Sequence, residues 1–299
     1  MPVMDWQTKA MAFRVLERLP FKHHAYAFLQ RRVTRTIPRN LMRMDEFNAN
    51  LLAHWAAFER HGPGMGDRTL FEFGAGWDLC SNLVFHALGM DRQVVVDIQP
   101  LAALPHVNHV LAWYRDHPVR PGARPMAPLP DGNLVALLRS HFGIDYRSPV
   151  DAATVSLPDG SIDYVASTNT MEHVPADVLA AIMRNCHRFC HGGSVLSLKI
   201  DYGDHWSYVD RSINTYNYLR YDDAEWRRFN PPMHYQNRLR HSDFRRMFRD
   251  CGFRIVEDEP IQADNAAEML AAIPLAPRFR AYDAADLAVE QGRFVLMKA

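Results

Sequence analysis

Apolar residues recur at spacings of three and four through the first sixty positions. Trp6, Ala10, Phe13, Leu16 and Leu19 form one such set, and Phe47, Leu51, Trp55 and Phe58 form another. A period of 3.6 residues places each set on a single face, so the pattern predicts amphipathic helices, the second over about 45–60. Pro20 closes the first, and Tyr26, Leu29 and Val33 continue as a further helix. The stretch HGPGMGD (61–67) reads as a connection. Beyond it the pattern becomes one of short, nearly continuous apolar runs: TLFEF at 69–73, QVVVD at 93–97, SIDYVAST at 161–168, GSVLSLKI at 193–200, FRIVEDE at 253–259 and RFVLMKA at 293–299. Such runs suit strands covered on both faces. Helical stretches lie between several of them, as in DLCSNLVFHALG and in 178–190. The alternation predicts an α/β fold: a doubly wound, mostly parallel sheet in residues 63–299, preceded by a helical arm or lid in residues 1–62. Three connections, at about 100–147, 201–241 and 260–291, exceed ordinary loops and are expected to carry caps or substrate walls.

In an open parallel sheet, ligands bind at the carboxyl ends of the strands. The first strand ends in Glu72-Phe-Gly74-Ala75-Gly76-Trp-Asp78, directly before a helix. Two glycines allow a sharp turn and a close approach of ligand to main chain, and the helix beyond offers unpaired N–H groups to an anion. A dinucleotide fingerprint needs a third glycine at position 79, which is Leu79. Asp97 ends the next strand, 21 residues after Gly76, where a carboxylate can accept bonds from both ribose hydroxyls. An NAD-binding site and other nucleoside sites share that device.

The segment DAATVSLPDGSIDYVASTNTMEHVP (151–175) separates the readings. Together with Glu72-x-Gly74-x-Gly76, it resembles the class I S-adenosylmethionine-dependent methyltransferases. Leu157-Pro158-Asp159-Gly160 is similar to their turn before the fourth strand, and Glu172-His173-Val174-Pro175 to the end of that strand. HGGSVLSL (191–198) is similar to the opening of their fifth strand, and CGF (251–253) with RFVLMKA to their last two. The resemblance covers about 67–99, 148–200 and 250–299. It implies a Rossmann-like seven-stranded sheet whose last strand is antiparallel, and S-adenosyl-L-methionine as cofactor. By the same resemblance Glu72, Gly74, Ala75, Gly76, Asp97 and Ile98 bind that cofactor, Asp151 and Ala152 contact its adenine, and the segment from Asn169 to His173 lies beside its methionine end. Asp78 departs from the family, whose members often carry glycine there. A carboxylate would repel the cofactor's own, so Asp78 is expected to cap the following helix.

Transfer from a sulfonium needs alignment and exclusion of water, and a hydroxyl acceptor also needs a base. His173 and His205 are the candidate catalytic residues, with Asp201 a further candidate base. His173 has a plainer reading as a packing residue of the EHVP turn; Glu172 shares it, with metal binding as an alternative. Residues 201–241 interleave Tyr202, Trp206, Tyr208, Tyr216, Tyr218, Tyr221, Trp226 and Tyr235 with polar side chains. They fit either a wall for a polar, glycan-like acceptor or a cap whose aromatics pack on the sheet. Arg211, Arg238 and Arg240 fit an acidic substrate group or a solvated surface. Cys186, His187, Cys190 and His191 look like a metal cluster, but on a helix they occupy two adjacent faces and do not converge, so no metal site is assigned.

Composition narrows the classes. With 48% apolar and 11% aromatic residues among 299, the chain has material for a substantial core. Four Cys without a CxxC pair point to a reducing compartment, and no apolar run approaches the ~18–20 residues of a membrane span. A cytoplasmic protein is the expectation. Formal neutrality, 34 basic against 34 acidic residues, argues against a nucleic-acid partner and leaves a small-molecule acceptor. That neutrality is a sum of opposites: residues 1–44 carry nine Lys plus Arg against two acids, a net of +7, and the remainder a net of −7. An acidic acceptor and docking of the arm on its own acidic domain each explain the split, docking more plainly; RRVTRTIPR (31–39) fits a phosphate or membrane surface and, more plainly, a solvated helix end. Three rivals remain at this stage: an NAD-dependent oxidoreductase, a non-catalytic regulatory relative, and an RNA methyltransferase supported only by the basic stretch. No motif speaks to oligomeric state or to the identity of the acceptor.

Overall fold

The computed structural model describes residues 5–16, 37–64 and 67–299. The helix read over Tyr26, Leu29 and Val33, and most of the basic stretch 31–39, lie outside the described residues. Seven strands form one sheet: β1 Thr69–Phe73, β2 Arg92–Val96, β3 Ile144–Arg147, β4 Ile162–Thr168, β5 Cys190–Asp201, β6 Phe253–Gln262 and β7 Val289–Lys298. Their order is β3-β2-β1-β4-β5-β7-β6. The first five are parallel, and β7 lies antiparallel between β5 and β6. This is a Rossmann-like doubly wound sheet with an antiparallel last strand.

Alternation along the buried strands feeds two cores. Leu70, Val95, Tyr164, Ala166 and Val195 project into one layer with helices α1 Met44–His61, α2 Cys80–Leu88, α3 Leu104–Asp116 and α4 Leu134–Phe142. Phe71, Phe73, Val96, Val165, Leu196 and Leu198 project into the other, with α5 Ala176–Phe189 and α6 His241–Asp250. Leu51, Trp55 and Phe58 of α1 are buried in the first layer, as their spacing predicts. That helix also bonds to the sheet through polar groups: His54 Nδ1 lies 2.7 Å from Ser197 Oγ, and Lys199 Nζ donates to Asn50 Oδ1 at 2.9 Å.

One expectation about the connections changes. Residues 100–147 are not a cap, because they contain α3, α4 and β3, which extend the sheet and cover it. The four residues of β3 bury Ile144 and Tyr146 and leave Asp145 and Arg147 half-exposed, an alternation too short to stand out in the pattern. Residues 201–241 and 263–288 form a third core over one end of the sheet. There Trp206, Tyr216, Tyr218, Trp226, Leu270 and Phe279 close around Trp6 and Ala10 of the N-terminal helix Trp6–Leu16. Trp6 meets Phe229 edge-on at 4.8 Å, and its backbone N–H donates to Asp210 at 2.9 Å. No helix among the described residues is long and apolar enough to cross a membrane.

Candidate functional site

Strand order reverses between β1 and β4, so the carboxyl ends of β1, β2, β4 and β5 bound a crevice. The turn after β1 opens it. Gly74 and Gly76 take φ +75° and +72°, conformations that favour glycine. A Cβ on Gly74 would come 2.2 Å from the Thr170 methyl group, whereas one on Gly76 would meet nothing within 4 Å. The first glycine lets the β4 turn press against the chain, and the second leaves room for a ligand. Glu72 stands at the foot of the turn, fully buried. Its two oxygens accept from Ser81 Oγ and Asn82 Nδ2, both at 2.7 Å. Burial outweighs those bonds and pushes its carboxyl up to about 7. Glu72 thus anchors the start of α2 to β1, with both oxygens turned to protein partners. Leu79 takes the left-handed φ of 53° while fully buried, strain of about 1–2 kcal/mol where glycine would have none.

Asp78 accepts from the Cys80 N–H at 3.1 Å, as a capping carboxylate does. It also receives both arms of Arg39, at 2.8 and 2.9 Å. Arg39 is therefore not the solvated end of a helix; it ties the segment leading into α1 to the glycine turn. The carboxylate that departs from the resemblance is neutralised from within the chain.

Asp97 is held at the carboxyl end of β2 by the N–H groups of Gly76 (3.2 Å) and Gln99 (2.9 Å). Burial raises its pKa against those two bonds. Each oxygen takes one main-chain bond, and a carboxylate offers about four acceptor sites, so capacity remains for a ligand's hydroxyls. Ile98 follows with 66% of its surface exposed, an apolar side chain without cover at the crevice. The Val150 N–H donates to the Asp97 carbonyl, which brings the next loop alongside. In that loop Asp151 Oδ1 accepts from the Ala153 N–H at 2.8 Å, and Ala152 is buried. Ala75 is half-buried in the turn. Asp97, Ile98, Asp151 and Ala152 are thus gathered on one side of the Gly74–Gly76 turn.

The other side is built from the ends of β4 and β5. Asn169 is exposed at φ +50°, its N–H bonded to the Lys199 carbonyl. Glu172 is buried, and burial pushes its carboxyl up to about 8. His173 lies at the accessible rim, and its Nδ1 bonds the Tyr235 carbonyl at 2.8 Å. A carbonyl only accepts, so Nδ1 carries the proton and Nε2 keeps a free lone pair. Crowding by surrounding protein and then the nearby His205 push His173 down to about 4. The two imidazoles are 4.8 Å apart between ring centres. Burial disfavours a charged His205, but Asp201, 3.5 Å from its Nε2, followed by Glu172 and Asp204, prevails and raises its pKa. Asp201 is itself held by the Tyr208 hydroxyl at 2.7 Å and the Gly203 N–H at 2.8 Å. His234 completes the group; burial, with His205 and His173, pushes it down to about 3.

The structure settles the two readings of the aromatic insertion. Tyr202, Trp206, Tyr216, Tyr218 and Trp226 are buried, with Tyr216 and Tyr218 donating to the carbonyls of Ala288 and Tyr202. Trp206, Tyr216, Tyr218 and Trp226 pack the cap and Tyr202 the sheet core; Tyr208 alone of the eight is largely exposed. Arg238 and Arg240 are neither solvated nor free for a substrate. Arg240 is fully buried and donates to the carbonyls of Tyr202, Leu287 and Val289, and Arg238 to those of Tyr218 and Tyr221. Cys186 and His187 end α5, but Cys190 and His191 open β5, so the four do not share a helix as read; both thiols are buried and free, and His191 turns to Asp163. Sequence reasoning passed over Lys199 and His234, and gave Arg39 and Thr170 no role apart from the stretches that hold them. Each acts through a partner more than twenty residues away, which no local pattern encodes.

No family model matches the sequence, and no curated protein matches it. Solved structures do share the fold. The PH0226 protein of Pyrococcus horikoshii OT3 matches at 10% identity with a TM-score of 0.52, over 91% of this chain and 99% of that one. A 1,6-didemethyltoxoflavin-N1-methyltransferase of Burkholderia thailandensis, solved with its substrate and S-adenosylhomocysteine, matches at 12% identity and a TM-score of 0.47, over 92% and 90%. The cyclase SpnF matches at 14% and 0.46, over 83% and 80%. At 10% identity the likeness to the first of these is one of fold alone.

Proposed function

We propose that this chain binds S-adenosyl-L-methionine and methylates a small polar acceptor, a hydroxyl being the favoured group. The observation that carries this reading is the turn itself: Gly76 opens onto free space while its N–H fixes Asp97, next to the exposed Ile98. A nucleoside fits these residues. Asp97 has acceptor capacity for ribose hydroxyls, Ile98 offers an apolar surface to a purine face, and Asp151 lies one loop away for an exocyclic amine. When bound, the cofactor supplies an electrophilic methyl group on its sulfonium.

The chain's own contribution is orientation, exclusion of water and management of one proton. The N-terminal helix and the cap built from 201–241 cover the acceptor end. His173 Nε2 is the base best placed for an acceptor hydroxyl, since Nδ1–H is engaged by Tyr235 and the ring is held neutral. His205, drawn toward its charged form by Asp201, is suited to orient rather than to abstract. A secondary metabolite or sugar hydroxyl is the acceptor class this site suits.

Two observations set this reading above a nicotinamide-dependent oxidoreductase. β7 enters antiparallel between β5 and β6, whereas the dinucleotide-binding order is 3-2-1-4-5-6. A buried Leu79 also fills the place of the third fingerprint glycine. Calorimetric titration with S-adenosylhomocysteine and with NAD tests the assignment, for the parent and for Asp97→Ala. Binding of the sulfur compound by the parent, weakened at least about tenfold in the variant by loss of charged hydrogen bonds, is expected. Failure of the folded parent to bind S-adenosylmethionine or S-adenosylhomocysteine overturns it.

A further inference from the structure

We propose that Glu172, His173 and His205 bind a divalent transition-metal ion at the carboxyl ends of β4 and β5. One carboxylate oxygen and two imidazole nitrogens, one from each residue, lie within 4.8 Å of one another. An ion held at about 2.0–2.2 Å by each needs them about 3.3–3.6 Å apart, a contraction that side-chain rotation supplies.

The independent observation is the state of Glu172. It is 2% exposed, and neither carboxylate oxygen has a hydrogen-bond partner. Buried carboxylates are ordinarily paired, hydrogen-bonded or metal-bound, because desolvation otherwise costs several kcal/mol. Glu72, equally buried in the same sheet, has both oxygens satisfied by Ser81 and Asn82. The fold supplies such partners elsewhere and withholds them at Glu172.

The surroundings are those of a ligand set. Metal-binding histidines commonly donate their second ring N–H to a carbonyl or carboxylate, which fixes ring and tautomer. His173 does so, through Nδ1 to Tyr235. His205 stands beside Asp201, whose own oxygens are bound by Tyr208 and Gly203. Two imidazoles and one carboxylate select zinc, cobalt, manganese or iron(II) over magnesium or calcium, which prefer all-oxygen sets. Three protein ligands also leave a position open.

That open position deepens the methyl-transfer reading, on which this one consequence rests. A cation there lowers the pKa of an acceptor hydroxyl. With His173 Nε2 engaged by the ion in place of its role as base, the hydroxyl proton leaves to water, the oxygen bonds the methyl carbon, and the electron pair of the broken carbon–sulfur bond stays on sulfur.

The test uses the untagged full chain, stripped with chelator, desalted and titrated with Zn²⁺ by calorimetry. Co²⁺ serves as an optical probe of imidazole ligation. One ion per chain is expected, with affinity reduced by more than about tenfold in both Glu172→Gln and His205→Ala. Far-UV circular dichroism and a cooperative urea transition certify the fold of both variants independently of either ligand. Equal Zn²⁺ binding by parent and both folded variants overturns the site, as does absence of one-to-one binding by the parent. Binding of S-adenosylhomocysteine without Zn²⁺ removes the metal site and keeps the methyltransferase. Binding of Zn²⁺ without either sulfur compound keeps the site and removes the methyltransferase.

Discussion

The ion pair between Arg39 and Asp78 gives a direct measure of how firmly the segment leading into α1 is tied to the glycine turn. Asp78 is nearly buried, with 7% of its side chain exposed, and Arg39 reaches it with two bonds while leaving 29% of its own side chain in water. Removing one partner from a fully buried pair costs about 3–5 kcal/mol, because the other charge is left uncompensated. Here solvent reaches Arg39, and Asp78 keeps its bond from Cys80, so roughly half of that, about 2 kcal/mol, is expected for Arg39→Met. Methionine retains apolar contact with Phe47, over whose ring the guanidinium sits at 4.0 Å. The loss should lower Tm by about 3 °C for a chain of this size. A double-mutant cycle with Asp78→Asn isolates the pair and should return a coupling of about 1–2 kcal/mol in urea unfolding. Arg43 and Glu46 supply an internal control, since that pair is 72% and 62% exposed and should couple by less than about 0.5 kcal/mol. A coupling for Arg39 and Asp78 no larger than the control's would refute the claim that this segment is latched to the turn.

Three further outcomes follow from the same geometry. Glu72 has a folded pKa of about 7 against an ordinary 4.5. Its share of stability is therefore full below about pH 4.5 and lost as pH rises through 7, about 3 kcal/mol in all. Relative to the parent, Glu72→Gln should gain stability by about that amount between pH 4.5 and 8, measured by urea midpoints; a pH-independent difference would show that burial does not control this carboxyl. Gly74→Ala should destabilise more than Gly76→Ala, since its Cβ meets Thr170 at 2.2 Å whereas the Gly76 side is open. Both carry about 1–2 kcal/mol of left-handed strain. Gly76→Val should abolish S-adenosylhomocysteine binding in calorimetry while the chain still folds; unchanged affinity would mean the ligand does not use this turn. Arg240→Met should lower stability by several kcal/mol by stranding the carbonyls of Tyr202, Leu287 and Val289, with ligand affinity unchanged in whatever fraction folds. A mild loss of stability with a large loss of ligand affinity would return Arg240 to a substrate role.

The central sheet was legible because burial on both faces leaves continuous apolar runs; β6, half-exposed at one edge, showed only in the short apolar start of FRIVEDE. β3 did not show, since four residues at an edge need only Ile144 and Tyr146 to point inward. The cofactor side of the site was legible for a related reason. Gly74, Gly76 and Asp97 act through local conformation at the ends of two strands, where backbone and side chain are set by neighbours in the chain. Asp78 was legible only by half: its cap on Cys80 is local, its pairing with Arg39 is not.

By itself, then, the sequence determined the strands, the turn between β1 and α2, and the carboxylate that faces it, because these depend on period, φ and short reach. Tertiary structure alone decided which charges meet. Arg238 and Arg240, indistinguishable in sequence from surface arginines, are buried because carbonyls from distant segments happen to surround them. Glu172 stands unpaired beside two histidines because β4 and β5 end side by side and the 201–241 segment folds back over them. Desolvation and charge pairing are set by everything within a few ångströms in space, and a linear pattern carries no record of that distance.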